Sequence, residues 1–259
     1  MKCPICKMSG VIEEKEALIC PDCRSVRTIH HYDASLYGEW YSDHFAENAQ
    51  TDIAFRIYLY RLGLIARWMP KDGRLLDFGC CNGDWLRYVQ RFYNCLGVEP
   101  NPWALARAKK SLGQSRVVGS LDKLREESSI LPPYDMVTMF DVIEHIEYPE
   151  ELFTKLVQKI LKKGGYLVVC TPSLDAVRLS DTHSGPFVDL ILGGPENKPP
   201  LQEWKHWKPK EHLFLYSAFA LNKLAKTFGF RLVHSETVES EIRPDNPNGD
   251  VMTSVFCLG

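Results

Sequence analysis

Short apolar runs and amphipathic stretches alternate between residues 74 and 170, and no other feature restricts the fold as tightly. "RLLDF" (74–78), "CLGVE" (95–99), the Val117–Val118 pair, "YDMVTMF" (134–140) and "YLVVC" (166–170) read as strands. A helix is expected from Asp84 to Phe92, and another opens at "NPWALARAKK" with Asn101 as N-cap and Pro102 in its first turn. A third is expected over "YPEELFTKLVQKILKKGG" (148–165), with Pro149 and two glutamates at its start and lysines then glycines at its end. Strands separated by helices pair in parallel, so the class is α/β with a mainly parallel sheet. After Cys170 the alternation stops. Residues 171–211 are rich in Pro, Gly, His and Trp without a period, which predicts a lid inserted over about 173–211. A helix from about Ser217 to Phe228 follows, then two closing strands, "FRLVHSE" and "DVMTSVFCL", joined as an antiparallel hairpin through "RPDNPNGD".

Four of the nine cysteines fall within the first 23 residues, as "CPIC" and "CPDC". Cys3, Cys6, Cys20 and Cys23 thus follow the pattern C-x2-C-x13-C-x2-C. Thiolates spaced two apart on a tight turn face one ion, and two such turns joined by a hairpin complete a tetrahedron around structural Zn2+. A redox pair is the alternative, but that chemistry places one CxxC after a strand of a larger fold. Residues 1–31 therefore form a zinc ribbon, whose small size leaves most of its folding energy to the metal. Residues 32–70 read as a helical bridge that also covers the cofactor, and residues 71–259 as the main domain. The net charge of −2 and pI near 6.5 provide no global attraction to nucleic acid or anionic membrane. "MKCPICK" has no apolar core of a secretory signal, and "IAFRIYLYRLGLIARWM" is interrupted by Arg56, Arg61 and Arg67, so no membrane span and a cytoplasmic location are expected.

The turn after the first main-domain strand reads Gly79-Cys80-Cys81-Asn82-Gly83. Parallel sheets bind ligands at the carboxyl ends of their strands, so a cofactor belongs here. A dinucleotide fingerprint would need a third glycine, and Asp77 just before the turn would repel phosphates. That carboxylate suits a ligand carrying an amine and a sulfonium, as S-adenosylmethionine (SAM) does. Glu99, at the end of the next strand, can accept both hydroxyls of a ribose.

Taken in order, "LLDFGCCNGDW", "LGVEPNPWALARAKK", "YDMVTMFDVIEHI" and "LKKGGYLVVCTPS" resemble the motifs of class I SAM-dependent methyltransferases, the ubiquinone-biosynthesis O-methyltransferases in particular. The resemblance covers about residues 70–259. It implies a Rossmann-like seven-stranded sheet with helices on both faces, here preceded by the zinc-ribbon hairpin. It also implies that Asp77, Gly79, Cys81 and Gly83 hold the methionine moiety of SAM, that Glu99 and Pro100 hold the ribose, and that Ser120 and Leu121 flank the adenine. Phe140 and Asp141 would line the methyl-transfer site. Cys81 stands where the family usually has glycine, so a positive φ there would be strained.

The family's acidic-x-x-Glu-His cluster implies a divalent cation at Asp141, Glu144 and His145; capping of the loop is the alternative. His145, His212 and Asp141 are the catalytic candidates, with a histidine as base and an aromatic lid of Phe187, Trp204 and Trp207 shaping the acceptor pocket. "PPYD" (132–135) precedes its strand, so it is not the motif of amino-group methyltransferases. Two functions follow. One is methylation of a hydroxyl or carbon of a small metabolite, sugar or lipid precursor, the ribbon docking a protein partner or a second copy. The other is methylation of RNA read by the ribbon. The second is disfavoured because residues 1–31 balance five basic side chains with four acidic ones. A zinc-ribbon adaptor that only senses SAM is a third reading.

Overall fold

The computed structural model describes residues 2–14, 16–177, 200–243 and 250–259. Its main sheet has seven strands: β4 (Arg74–Phe78), β5 (Asn94–Val98), β6 (Val117–Val118), β7 (Tyr134–Phe140), β8 (Leu161–Pro172), β10 (Phe230–Glu236) and β11 (Val251–Leu258). They lie in the order β10-β11-β8-β7-β4-β5-β6. The run from β8 to β6 is parallel, and β11 enters antiparallel between β8 and β10.

Successive strand residues point to opposite faces, and the core divides accordingly. Leu76, Val137, Leu167 and Val169 enter one buried cluster with Phe153, Leu221 and Leu224. Their immediate neighbours Leu75, Met136 and Val168 enter the other, with Leu64, Ile65, Trp85 and Leu86. The covering helices are α2 (Asp52–Ile65), α3 (Asp84–Val89), α4 (Pro102–Leu112), α6 (Pro149–Lys155) and α7 (Ala218–Thr227), with α1 (Glu39–Asn48) before them and a short α5 (Leu124–Glu127) after β6. Asn101 caps α4 as expected, its side chain accepting from the N–H groups of Trp103 and Ala104, with Pro102 in the first turn.

Two elements differ from the sequence reading. The helix expected to reach Gly165 stops at Lys155, widens into a π turn over Leu156–Ile160, and gives way to β8 at Leu161. The residues read as a helix end, Lys162 to Gly165, form a bulge instead: the β7–β8 register jumps from Tyr134↔Leu161 to Met136↔Tyr166, and Gly164 takes φ +75°. Between the closing strands lies a helix, α8 (Val238–Ile242), that the hairpin expectation lacked.

A second sheet joins the N-terminal hairpin to the main domain. β1 (Ile12–Glu14), β2 (Ala17–Ile19) and β3 (Val26–Thr28) pair antiparallel, and β3 pairs with β9 (Phe214–Leu215). Cys3, Ile5, Cys20 and Cys23 belong to the same buried cluster as Phe214, Leu221 and Leu224. Trp204 fills the junction beside Ile19, Leu174, Leu201 and Leu215, with Trp207 half-buried against them. The expectation of an aromatic lid thus changes for Trp204, whose ring is buried in the apolar junction; Phe187 lies outside the described residues. Among the described residues no helix is long and apolar enough to cross a membrane.

Candidate active site

Because β4, β5, β6 and β7 are parallel, the residues that follow them share one edge of the sheet. Gly79, Glu99, Ser120 and Asp141 stand along it. The first turn carries three left-handed residues, Gly79 (φ +80°), Cys81 (φ +49°) and Gly83 (φ +77°). A Cβ at Gly79 would lie 2.4 Å from Val142 Cγ2, and one at Gly83 2.5 Å from Leu112 Cδ1, so neither position accepts a side chain. Gly79 N–H and Cys80 N–H both donate to Val98 O, at 2.8 and 3.1 Å.

Glu99 locks the turn from the neighbouring strand. Its carboxylate accepts from Cys81 N–H and Asn101 N–H, both at 2.8 Å. Burial raises its pKa to about 7. Asp77 lies beneath the turn and accepts from the Thr138 hydroxyl at 2.7 Å; burial raises it to about 6. Pro100 is exposed, and Ser120 and Leu121 are half-buried at the start of a 3-10 turn.

Segment 37–48 lies over this edge. Ser42 Oγ donates to Asn82 Oδ1 at 2.7 Å, and Asn82 Nδ2 donates back to Ser42 O at 2.8 Å. Asn101 Nδ2 donates to Tyr37 O, and Arg107 pairs with Asp43. Tyr41 packs edge-on against Tyr37 and tilts onto Phe45. Burial keeps its hydroxyl neutral, as do the nearby Cys81, Tyr37, Glu99 and Asp141.

At the end of β7, Asp141 takes φ +58°. Its carboxylate pairs with Arg243 at 2.7 Å and Arg61 at 3.4 Å, and both guanidiniums also bind the buried Glu239. Burial opposes ionisation of Asp141, but the two arginines win and hold it below the usual carboxylate range. Arg61 lies 4.0 Å above the Phe140 ring. Asp141 is therefore already committed, and the expected grouping with Glu144 and His145 changes: His212 takes the third place. Ligand atoms of Glu144, His145 and His212 all lie within 4.8 Å of one another.

The three are held by their neighbours. Thr171 donates its hydroxyl to Glu144 Oε2 at 2.8 Å, and burial raises Glu144 to about 8. His145 Nδ1 lies 2.8 Å from Glu211 O and 2.9 Å from the Tyr37 hydroxyl. His212 Nδ1 lies 2.8 Å from His206 O. A carbonyl only accepts, so both rings carry their proton on Nδ1 and keep the Nε2 lone pair free. Burial lowers both imidazole pKa values, that of His212 to about 3, so both are neutral near pH 7.

The cysteine quartet is built from two matching turns. Lys7 and Arg24, each following a CxxC pair, are left-handed, and each N–H donates to the first cysteine's carbonyl at 2.9 Å. The sulfurs of Cys3 and Cys23 are 3.7 Å apart, those of Cys6 and Cys20 3.5 Å. A tetrahedron of thiolates at the usual Zn–S length of about 2.3 Å has edges of roughly 3.8 Å, so the quartet fits zinc.

Residues 45–235 match the family described as a methyltransferase domain. The chain belongs to that family. The ubiquinone biosynthesis O-methyltransferase of Schizosaccharomyces pombe is 31% identical over 105 residues, a match spanning 39% of this chain and 38% of that protein. The fold resembles a chain from the complex between the Trm112 methyltransferase activator of Haloferax volcanii and a methyltransferase, with 11% identity, TM-score 0.54, and 88% of this chain and 98% of that chain covered. It also resembles a SAM-dependent methyltransferase of Thermotoga maritima, with 20% identity, TM-score 0.54, and 86% of this chain and 100% of that chain covered. These likenesses establish the class I methyltransferase fold.

Within this methyltransferase domain, several residues with defined places at the edge went unread in the sequence. Arg61 counted there only as an interruption of an apolar stretch. An arginine on an otherwise apolar helix is the signal of a buried acidic partner, and Glu239 is that partner. Tyr37, Ser42 and Asn82 carried no such signal, because their contacts cross between segments distant in sequence.

Proposed function

We propose that the protein transfers a methyl group from SAM to a hydroxyl, or a carbon, of a small-molecule acceptor. The observation that carries this reading is the edge itself: a left-handed turn closed in at Gly79 and Gly83, fastened to Glu99, and beside it a neutral histidine pair with free Nε2 atoms. SAM supplies an electrophilic methyl on a sulfonium. Asp77, Gly79, Cys81 and Gly83 would hold its methionine portion, Glu99 and Pro100 the ribose, and Ser120 and Leu121 the adenine. Gly79 and Gly83 let the turn pack against Val142 and Leu112, which fixes its shape at the end of β4.

His145 Nε2 or His212 Nε2 accepts the acceptor's proton as the new bond forms. Glu144, His145 and His212 would also suit a divalent cation, since two imidazoles and one carboxylate each have a ligand atom within reach of the others. Asp141 holds no proton in this scheme; with its arginines it shapes the floor beside Phe140. Residues 1–31, 32–70 and 71–259 serve as metal hairpin, cofactor cover and methyltransferase domain.

RNA as acceptor is less well supported. Of the hairpin's five basic side chains, Lys7 pairs with Glu150 and Arg27 lies over Phe214, and four acidic side chains offset the set. The test is transfer from methyl-labelled SAM into a cell extract separated into RNA, protein and small-molecule fractions. Label is expected among small molecules, and the His145→Ala and His212→Ala proteins should each transfer about a hundredfold more slowly. Label mainly in RNA would replace this reading with the RNA one.

A further inference from the structure

The cysteine hairpin is attached at two places, and each lies next to one histidine of the pair. Downstream of His212, Thr28 N–H donates to Leu213 O at 3.0 Å, and β3 then pairs with β9 through Val26↔Leu215 and Arg27↔Phe214. Ser217 Oγ donates to Cys23 O, the carbonyl of a cysteine in the quartet, at 2.8 Å. Downstream of His145, Glu147 pairs with His31 and accepts from Tyr32 N–H at 3.2 Å, while Glu150 pairs with Lys7, the residue that closes the first cysteine turn.

The two histidine segments are therefore held to one small body through separate contacts. Their rings meet edge-to-face with centroids 4.8 Å apart. Each ring depends on a carbonyl, Glu211 O or His206 O, from the segment that leads into β9. A displacement of β9 would carry both carbonyls with it. The cofactor turn has other supports. It hangs on Val98 O and Glu99, and its cover is tied through Asn82.

We propose that the metal-bound hairpin is the positioning support of the His145–His212 pair, so that loss of metal from the four cysteines releases the pair and leaves the cofactor turn formed. The idea rests on the proposed function only in taking that pair as the acceptor-side machinery. The second cysteine turn and β3 present Cys23 O and Thr28 N–H to the 213–217 segment, and four thiolates this close repel one another unless a cation lies between them. The hairpin thus acts inside its own chain, beyond any role in docking a partner.

The experiment uses the full chain labelled with 15N at histidine and reads no transfer, so its failure is separate from failure of the proposed reaction. Ring N–H signals of His145 and His212, assigned with His145→Gln and His212→Gln, are recorded with zinc bound, after chelation and in Cys20→Ser, which strips the quartet and spares Glu144, His145 and His212, and SAM affinity is measured by calorimetry in parallel. With zinc, both signals should be sharp and slow to exchange. On stripping they should be lost, while SAM affinity stays within about threefold. Signals that persist with the metal gone overturn the proposal, and so does a collapse of SAM affinity, since the cofactor turn would then depend on the metal too. Glu147→Ala tests the second attachment with zinc in place. Exchange at His145 should quicken by about tenfold and that at His212 stay unchanged; an unchanged His145 overturns the proposal.

Discussion

Cys81 is the residue that most separates this chain from the pattern it resembles. It is left-handed at φ +49° between two left-handed glycines, and its N–H is the donor that Glu99 accepts. A non-glycine residue there costs about 1 kcal/mol. Cys81→Gly should therefore raise unfolding free energy by about 0.5–1 kcal/mol and leave SAM affinity within about twofold, as urea unfolding and calorimetry will show. Glu99 gives a prediction in pH. Its pKa stands near 7 because burial, with the Asp77 charge adding, disfavours the carboxylate against the two N–H donors that favour it. Binding that needs the ionised form takes up no proton above that pH and must release one below it. Affinity for SAM should rise with pH through about 7 and be flat beyond, about tenfold weaker at pH 6 than at pH 8. Affinity that is level between those values would remove Glu99 from the ribose site. Asp77, buried and bound to Thr138, doubles as a structural group, so Asp77→Ala should cost stability as well as affinity.

Among the elements, α8 matters most for the site despite its five residues. It brings the fully buried Glu239 to Arg61 of α2, and Arg243 just after it reaches Asp141 at the end of β7. Glu239→Ala leaves two buried guanidiniums with Asp141 as their remaining carboxylate, and should destabilise the protein by about 3 kcal/mol in urea unfolding. What was legible in the sequence follows from range. The strands, the capped α4 and the glycine turn are local patterns, and they stand where the residues placed them. The end of α6 was not, because two lysines followed by two glycines also suit a bulge, and only the β7 partner decides between the two. The helix α8 was hidden because "VESEI" has too few apolar positions to show a period. Asp141 was read with its sequence neighbours Glu144 and His145, while its actual partners lie 80 and 102 positions away.

At the scale of the whole molecule, the hairpin and the methyltransferase domain share one hydrophobic cluster and one ladder. An isolated piece of this size would owe nearly all its order to metal; here Ile5, Cys3 and Cys20 are also packed beneath α7. The two metal-suited clusters can be told apart by elemental analysis: Cys20→Ser should lose its zinc, whereas His212→Ala should keep it. Zinc retained in Cys20→Ser would show that the quartet is not the site. The pairing of β3 with β9 also sets an order of events during synthesis. The cysteine turns, at residues 3–6 and 20–23, are near each other in the chain, yet the strand that completes their sheet is separated by roughly 190 residues. A growing chain can thus bring its four cysteines together early and then carry β3 with one unpaired edge until Phe214 and Leu215 leave the ribosome. The hairpin can take shape well before it finds its seat, and during that interval the open edge of β3 is free to pair with other chains.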